Sequence, residues 1–470
     1  MQCDTVRKVA ALLFGITLVA CASGTDMERP SGSPSPPVAP SPEPWPSAPA
    51  VIDGELAPDV AAAMDALVAS FGPGHLDTEA LDIVAASGDA RLAWLIGDML
   101  RFVAPGTGED AIVEAFVELT AVDPRADRRF GDVVWVTASN LLIGWDLPAP
   151  PGYVERKAVL FLTVDPAWEP FFADADATID WRWVSWGGVL IDDREIGDER
   201  PCRGGCIPAL DDPALTSAAG GDWYADWRPI FGLVVGDEAV AFPKNIMEVH
   251  EMVNLTVGGR RVGMPYCTLC ASAQAYLTDG VAGAEQPLVL RTSGLLSRSN
   301  KLMYDLVTWS AFNTFTGRAT SGPLLEAGVV LEQMTVVATS WGEWKSAHPG
   351  TKIVAEDGGI GRSYPDDPLE GRDDAGPVFP IGTVDSRLPT QQRVVGAIGP
   401  DGPVAFPVPA SVEELAAGRS VRIGDLVAEL DVGGLRIRTL DGEEVPAHQA
   451  FWFAWSQFHP GTEVWSPKGQ

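Results

Sequence analysis

Apolar positions recur with helical period from Ala57 to about Leu162. Leu81, Val84 and Ala85 share one face, and Leu92, Leu95, Ile96, Met99, Leu100 and Val103 form a stronger stripe at i, i+3, i+4 and i+7. Asp89 stands where an N-cap belongs, and Pro105-Gly106 stops the stripe. Ile112, Ala115, Phe116 and Leu119 repeat the theme up to Asp123-Pro124, and Val133 to Ile143 and Val154 to Leu162 predict two further helices. The expected architecture is a stack of short antiparallel helices. From Trp227 the pattern turns to strands. Ile230 to Val235 and Ala239 to Phe242 flank Gly236-Asp237-Glu238, a hairpin signature. Val289 to Thr292, Leu302 to Val307 and Val336 to Thr339 continue it, while Asn245 to Val253 predicts one short helix carrying His250 and Glu251. Between the two regimes Trp168, Trp181, Trp183 and Trp186 cluster without period, as expected of a connector buried between domains.

The strand-rich half contains a repeat. Val240-Ala241-Phe242-Pro243 recurs as Val404-Ala405-Phe406-Pro407, and Leu255 to Gly259 resembles Leu430 to Gly434. Trp344 followed by His348-Pro349-Gly350-Thr351 matches Trp455 followed by His459-Pro460-Gly461-Thr462. Three matches in one order predict a duplicated unit. The first copy is far longer, so it carries an insertion or the second has been trimmed. The symmetric placing of His348 and His459 predicts turn structure rather than catalysis, because only one copy carries thiols. The fold class expected is thus α+β multidomain, an all-helical stack followed by a β-rich domain with an internal duplication.

The N-terminus changes the compartment. Arg7 and Lys8 precede a short apolar run from Val9 to Ala20, which ends Leu18-Val19-Ala20-Cys21. This has the form of a bacterial lipoprotein signal, with Cys21 lipidated after removal of residues 1–20. Nine prolines between residues 30 and 49 then predict an extended spacer. The expected layout is 1–20 signal, 21–52 Pro/Ser-rich linker, 53–165 helical, 166–200 Trp-rich connector and 201–470 β-rich. The expected location is extracytoplasmic, held to the cell membrane through Cys21. Net charge is −31, from 33 Lys and Arg against 64 Asp and Glu, and no run is basic. That sets nucleic acid aside as a partner. It leaves a protein partner for the helical stack.

Of six cysteines, Cys3 leaves with the signal and Cys21 takes the lipid. Cys202 and Cys206 form Cys-x-x-x-Cys, and Cys267 and Cys270 form Cys-x-x-Cys. Outside the cytoplasm four cysteines suggest disulfides. The spacing equally suits a soft metal, zinc or copper, bound by Cys267, Cys270 and His250, with Met264 close by. A redox dithiol is the third reading, without the βαβ context that normally accompanies it. His250, Glu251 and Asp305 are candidate catalytic groups, with Arg298 as a polar neighbour. Glu251 could orient His250 or act as base on a metal-bound water. Neither Gly-x-Ser-x-Gly nor a phosphate-cradling loop occurs.

Cys206-Ile207-Pro208-Ala209-Leu210-Asp211, Val240 to Pro243, His250-Glu251 with Val253-Asn254, Tyr266 to Cys270, Lys301 to Asp305, Trp344 to Thr351 and Phe451 to Trp455 stand in one order. Together they resemble a bacterial family called domain of unknown function 3179, over roughly residues 200–465. The resemblance implies an exported or anchored envelope protein and brings no activity. Two functions follow: a metal- or thiol-based site in the β-rich domain, or a non-enzymatic, disulfide-stabilised binding or scaffold lipoprotein.

Overall fold

The structure is a computed structural model, and it describes residues 45–72, 75–198, 202, 204–371 and 376–467. The signal segment, Cys21 and most of the proline spacer lie outside the described residues. Helices α1 (Pro58–Ser70), α2 (Thr78–Ala86), α3 (Ala93–Leu100), α4 (Thr107–Thr120), α5 (Val134–Trp145) and α6 (Tyr153–Leu162) form the stack, and short α7 (Glu169–Ala173) follows. Local chemistry sets their ends. Pro58 opens α1 at a position needing no N–H, and Asp77 caps α2 by accepting from Ala80 N–H. Asp89 does cap, but at a 3-10 turn (Ala90–Leu92) that leads into α3. The α3 helix ends at Leu100, five residues before the proline expected to stop it.

One apolar core runs through the stack and into the connector: of the four clustered tryptophans, Trp168, Trp181 and Trp186 are buried and Trp183 is partly buried against the same core. Buried Lys157 on α6 fastens the two parts. Its ammonium donates to Asp98 (2.8 Å) and to the carbonyls of Trp181 (2.8 Å) and Val184 (2.6 Å). The connector also contributes a strand, Val184–Trp186, which pairs antiparallel with Leu295–Ser297. The described end of the proline-rich segment docks rather than dangles. Trp45 packs edge-on to Phe130, and Trp145 Nε1 donates to the Pro46 carbonyl (2.8 Å).

The β-rich part is built from small sheets, and two of them are the repeated unit. In the first copy the hairpin Pro229–Val235/Glu238–Pro243 pairs Phe231 with Phe242 and Gly232 with Ala241. In the second, Arg393–Gly399/Gly402–Pro407 pairs Val395 with Phe406 and Gly396 with Ala405. A strand returning later lies antiparallel to the first strand of each hairpin: Val336–Ser340 in one copy, Ala447–Phe451 in the other. A helix follows, then a short strand parallel to the second strand of the hairpin. The repeated Trp…His-Pro-Gly-Thr motif closes that turn. Trp344 Nε1 donates to Thr351 Oγ1 and Trp455 Nε1 to Thr462 Oγ1, both at 2.9 Å. His348 and His459 each stack on their tryptophan, at 4.3 and 4.2 Å between centroids. Both histidines are turn elements.

The extra length of the first copy begins at the cysteines. It holds the hairpin Leu290–Ser297/Asn300–Asp305, which the connector strand extends. Among the described residues no helix is long and apolar enough to cross a membrane.

Candidate functional site

The predicted helix over 245–253 stops early. It runs Lys244–His250, and Glu251 adopts a left-handed conformation (φ 52°) that ends it and starts the strand Met252–Val257. His250 and Glu251 therefore diverge. His250 Nδ1 lies 2.7 Å from the Pro208 carbonyl, which can only accept, so Nδ1 carries the proton. Nε2 then accepts from the Tyr364 hydroxyl at 2.7 Å. Burial lowers the His250 pKa to about 4, against a smaller opposing effect of the Pro208 bond. Both nitrogens are committed and the ring is neutral.

Glu251 turns to the cysteine loop. Thr268, between the two cysteines, donates to Glu251 Oε1 (2.7 Å), and Lys301 pairs with Oε2 (2.9 Å). The Lys301 ammonium also donates to the Glu251 (2.6 Å) and Tyr266 (2.8 Å) carbonyls. It is 4% exposed, so the pair is nearly desolvated and fully hydrogen-bonded.

Cys267 ends the strand Arg260–Cys267, and a 3-10 turn carries the chain through Cys270 to left-handed Ala271. The tight turn sets the two thiols close enough to influence each other's ionisation, and both lie near one carbonyl. They are 2% and 0% exposed and not joined by a disulfide. The Ser299 carbonyl lies 3.7 Å from Cys267 Sγ and 3.4 Å from Cys270 Sγ. Ser299 and Arg298 form the two-residue tip of the inserted hairpin, both at positive φ (68° and 47°), the conformation of a tight hairpin turn. The Arg298 guanidinium points away, 3.5 Å above the Trp183 ring. Burial pushes the Cys267 thiol up, but the hydrogen bond from Cys270 and the nearby Lys301 leave it below the ordinary thiol value. Burial and the same contact hold Cys270 well above it.

The expected set Cys267, Cys270 and His250 does not converge, because His250 is spent on Pro208 and Tyr364. Met264 is a core residue paired across the sheet with Val253. Asp305 is buried and fixes backbone, accepting from Val289 N–H and Thr308 N–H, both at 2.7 Å. Cys202 and Cys206 form a disulfide. With Asp192 they make the single group of three metal-type ligands found among the described residues, within 4.8 Å of one another. Asp192 already accepts from Arg194 Nε (2.6 Å) and Ala209 N–H (2.7 Å). A metal would find thiolates there only after the disulfide was reduced.

Zinc asks for four ligands in a structural site. Cys267 and Cys270 offer two, and both Glu251 oxygens are occupied, so the dithiol does not fit a four-ligand zinc site. Sequence reasoning missed Lys301 and Ser299. The signal for Lys301 was present: a lysine inside the otherwise apolar strand Lys301-Leu302-Met303-Tyr304.

Residues 204–431 match the model of a family described as Protein of unknown function (DUF3179). The matched region contains Cys206 and the whole dithiol site; the helical stack lies outside it. No curated protein and no solved structure matches the chain.

Proposed function

We propose that this is an exported envelope protein, lipid-anchored at Cys21, whose β-rich domain works through the thiol pair Cys267/Cys270. One observation carries the reading. Two buried thiols lie side by side, share one carbonyl and adjoin the largely buried Lys301–Glu251 pair, while the Cys202–Cys206 disulfide supplies covalent bracing elsewhere. Residues kept only for packing do not need a buried ion pair beside them, and perturbed thiols in such surroundings mark functional sites. His250 serves the site indirectly, by locking the helix that delivers Glu251.

The test is a thiol count on the isolated chain with alkylation mapped by mass spectrometry. Cys267 and Cys270 should be recovered as free thiols, and Cys202 and Cys206 should label only after reduction. Recovery of a Cys267–Cys270 disulfide would overturn the reading in favour of a disulfide-stabilised scaffold, which the Cys202–Cys206 bond also suits. The anchor is tested separately: Cys21→Ser should move the chain from the membrane fraction to the soluble one.

A further inference from the structure

We propose that Cys267 and Cys270 form a two-coordinate site for a soft monovalent cation, copper(I), held by two thiolates and no third protein ligand. This rests on the dithiol reading above and names its ligand.

The donor count comes first. Around the two sulfurs every other metal-type ligand is committed. Glu251 is held by Thr268 and Lys301, and His250 by Pro208 and Tyr364. Among the described residues the sulfurs' oxygen hydrogen-bond partners are the Ser299 carbonyl and Asn300 Oδ1, the latter 3.6 Å from Cys270 Sγ; both are hard neutral donors. Thiolates select soft ions. A filled-shell monovalent ion is satisfied by two of them in line, whereas zinc is not.

The surroundings come second. Phe315, Ala405, Ala450 and Phe451 share the apolar cluster with both cysteines, so water is kept from the sulfurs. Water exclusion protects copper(I) from extra ligands and from oxidation. Two thiolates and one Cu⁺ leave a unit of charge −1, and burying it needs compensation. The Lys301 ammonium supplies a buried positive charge beside the cysteine turn, bonded to the Glu251 and Tyr266 carbonyls next to Cys267. Binding breaks two S–H bonds, forms two S–Cu bonds and releases two protons to water. Copper stays monovalent, so no oxidant or reductant is required.

The test uses the reduced full-length chain in detergent under anaerobic conditions, titrated with copper(I) as its acetonitrile complex against a chromophoric copper(I) chelator. One copper per chain should be retained, with a thiolate-to-copper charge-transfer band in the ultraviolet. X-ray absorption should report two sulfur neighbours. Cys270→Ser should lose the band, whereas the double variant Cys202→Ser/Cys206→Ser should keep it. The absorption measurement on the unmutated chain does not depend on whether Cys270→Ser folds. Three or more ligands, any nitrogen ligand, or stoichiometric zinc surviving copper challenge would overturn the proposal. Free Cys267 and Cys270 with no copper retained would overturn it while leaving the dithiol reading standing. A native Cys267–Cys270 disulfide would overturn both.

Discussion

Replacing Gly396 by alanine should be among the most damaging small changes in the molecule. Gly396 lies mid-strand opposite Ala405, and a Cβ placed there would come under 3.0 Å from Cε3, Cζ3 and Cη2 of Trp455. The indole cannot step aside. Its Nε1 is tied to Thr462, His459 lies against it, and the ring is buried. Overpacking of this kind costs about 1–3 kcal/mol. If the ring tilts to escape, Nε1 is left buried without a partner, for about 1–3 kcal/mol more. The expected loss is therefore about 2–6 kcal/mol, read as a fall in the urea midpoint at unchanged m-value. Trp455→Phe removes most of the conflicting six-membered ring, so Gly396→Ala/Trp455→Phe should cost at least about 1 kcal/mol less than the two singles added. Gly232→Ala against Trp344 is the same experiment in the other copy. A Gly396→Ala chain within about 0.5 kcal/mol of the parent, or strictly additive singles, would refute the steric argument.

Acid should destabilise the protein before its carboxylates titrate. His250 and His459 are held to about pKa 4 and His448 to about 3, each chiefly by burial. The unfolded chain binds those protons at about 6.5, so stability is full above that value and falls as pH drops toward 4, by about 2 kcal/mol per histidine at pH 5. A urea midpoint that stays flat from pH 7.5 to 5 would contradict this. Lys301→Met should cost about 3 kcal/mol by stranding the largely buried Glu251 carboxylate without its ion-pair partner, and Glu251→Gln in the same chain should restore part of it; no loss in the single variant would mean the pair is solvated. Asn140 on α5 accepts from the N–H groups of both Ile381 and Gly382 at 2.8 Å. Asn140→Ala should cost about 1–3 kcal/mol for each amide left buried without a partner. Hydrogen exchange at 381–382 should quicken, and unchanged protection there would show that the stack does not hold this loop.

The duplication was legible because its motif encodes a local lock. Trp344 and Thr351 bond to each other seven residues apart, as do Trp455 and Thr462, so the residue types and their spacing already contain the contact. Helical period revealed the stack for a similar reason, since its information lies within one turn. The partners of His250 lay out of reach, because Pro208 and Tyr364 stand 42 and 114 residues away. Adjacency in the chain made His250 and Glu251 look like one unit. A single left-handed residue at Glu251 sends them to different neighbours, and nothing in the residue types announced that turn. The connector strand was hidden likewise, because three residues pairing with Leu295–Ser297 leave no periodic trace.

The second copy carries no thiols, yet Val394, Ala405, Ala450, Phe451 and Trp455 share one apolar cluster with Cys267 and Cys270. It acts as a stopper over the thiol pair housed in its twin. Access to the sulfurs is then an opening equilibrium between the copies, and the rate of thiol alkylation without denaturant becomes a direct gauge of that opening free energy. On the copper(I) proposal, a metal entering between the sulfurs must first work against the docking of the two halves, so its affinity and exchange rate would be set partly by residues that never touch it.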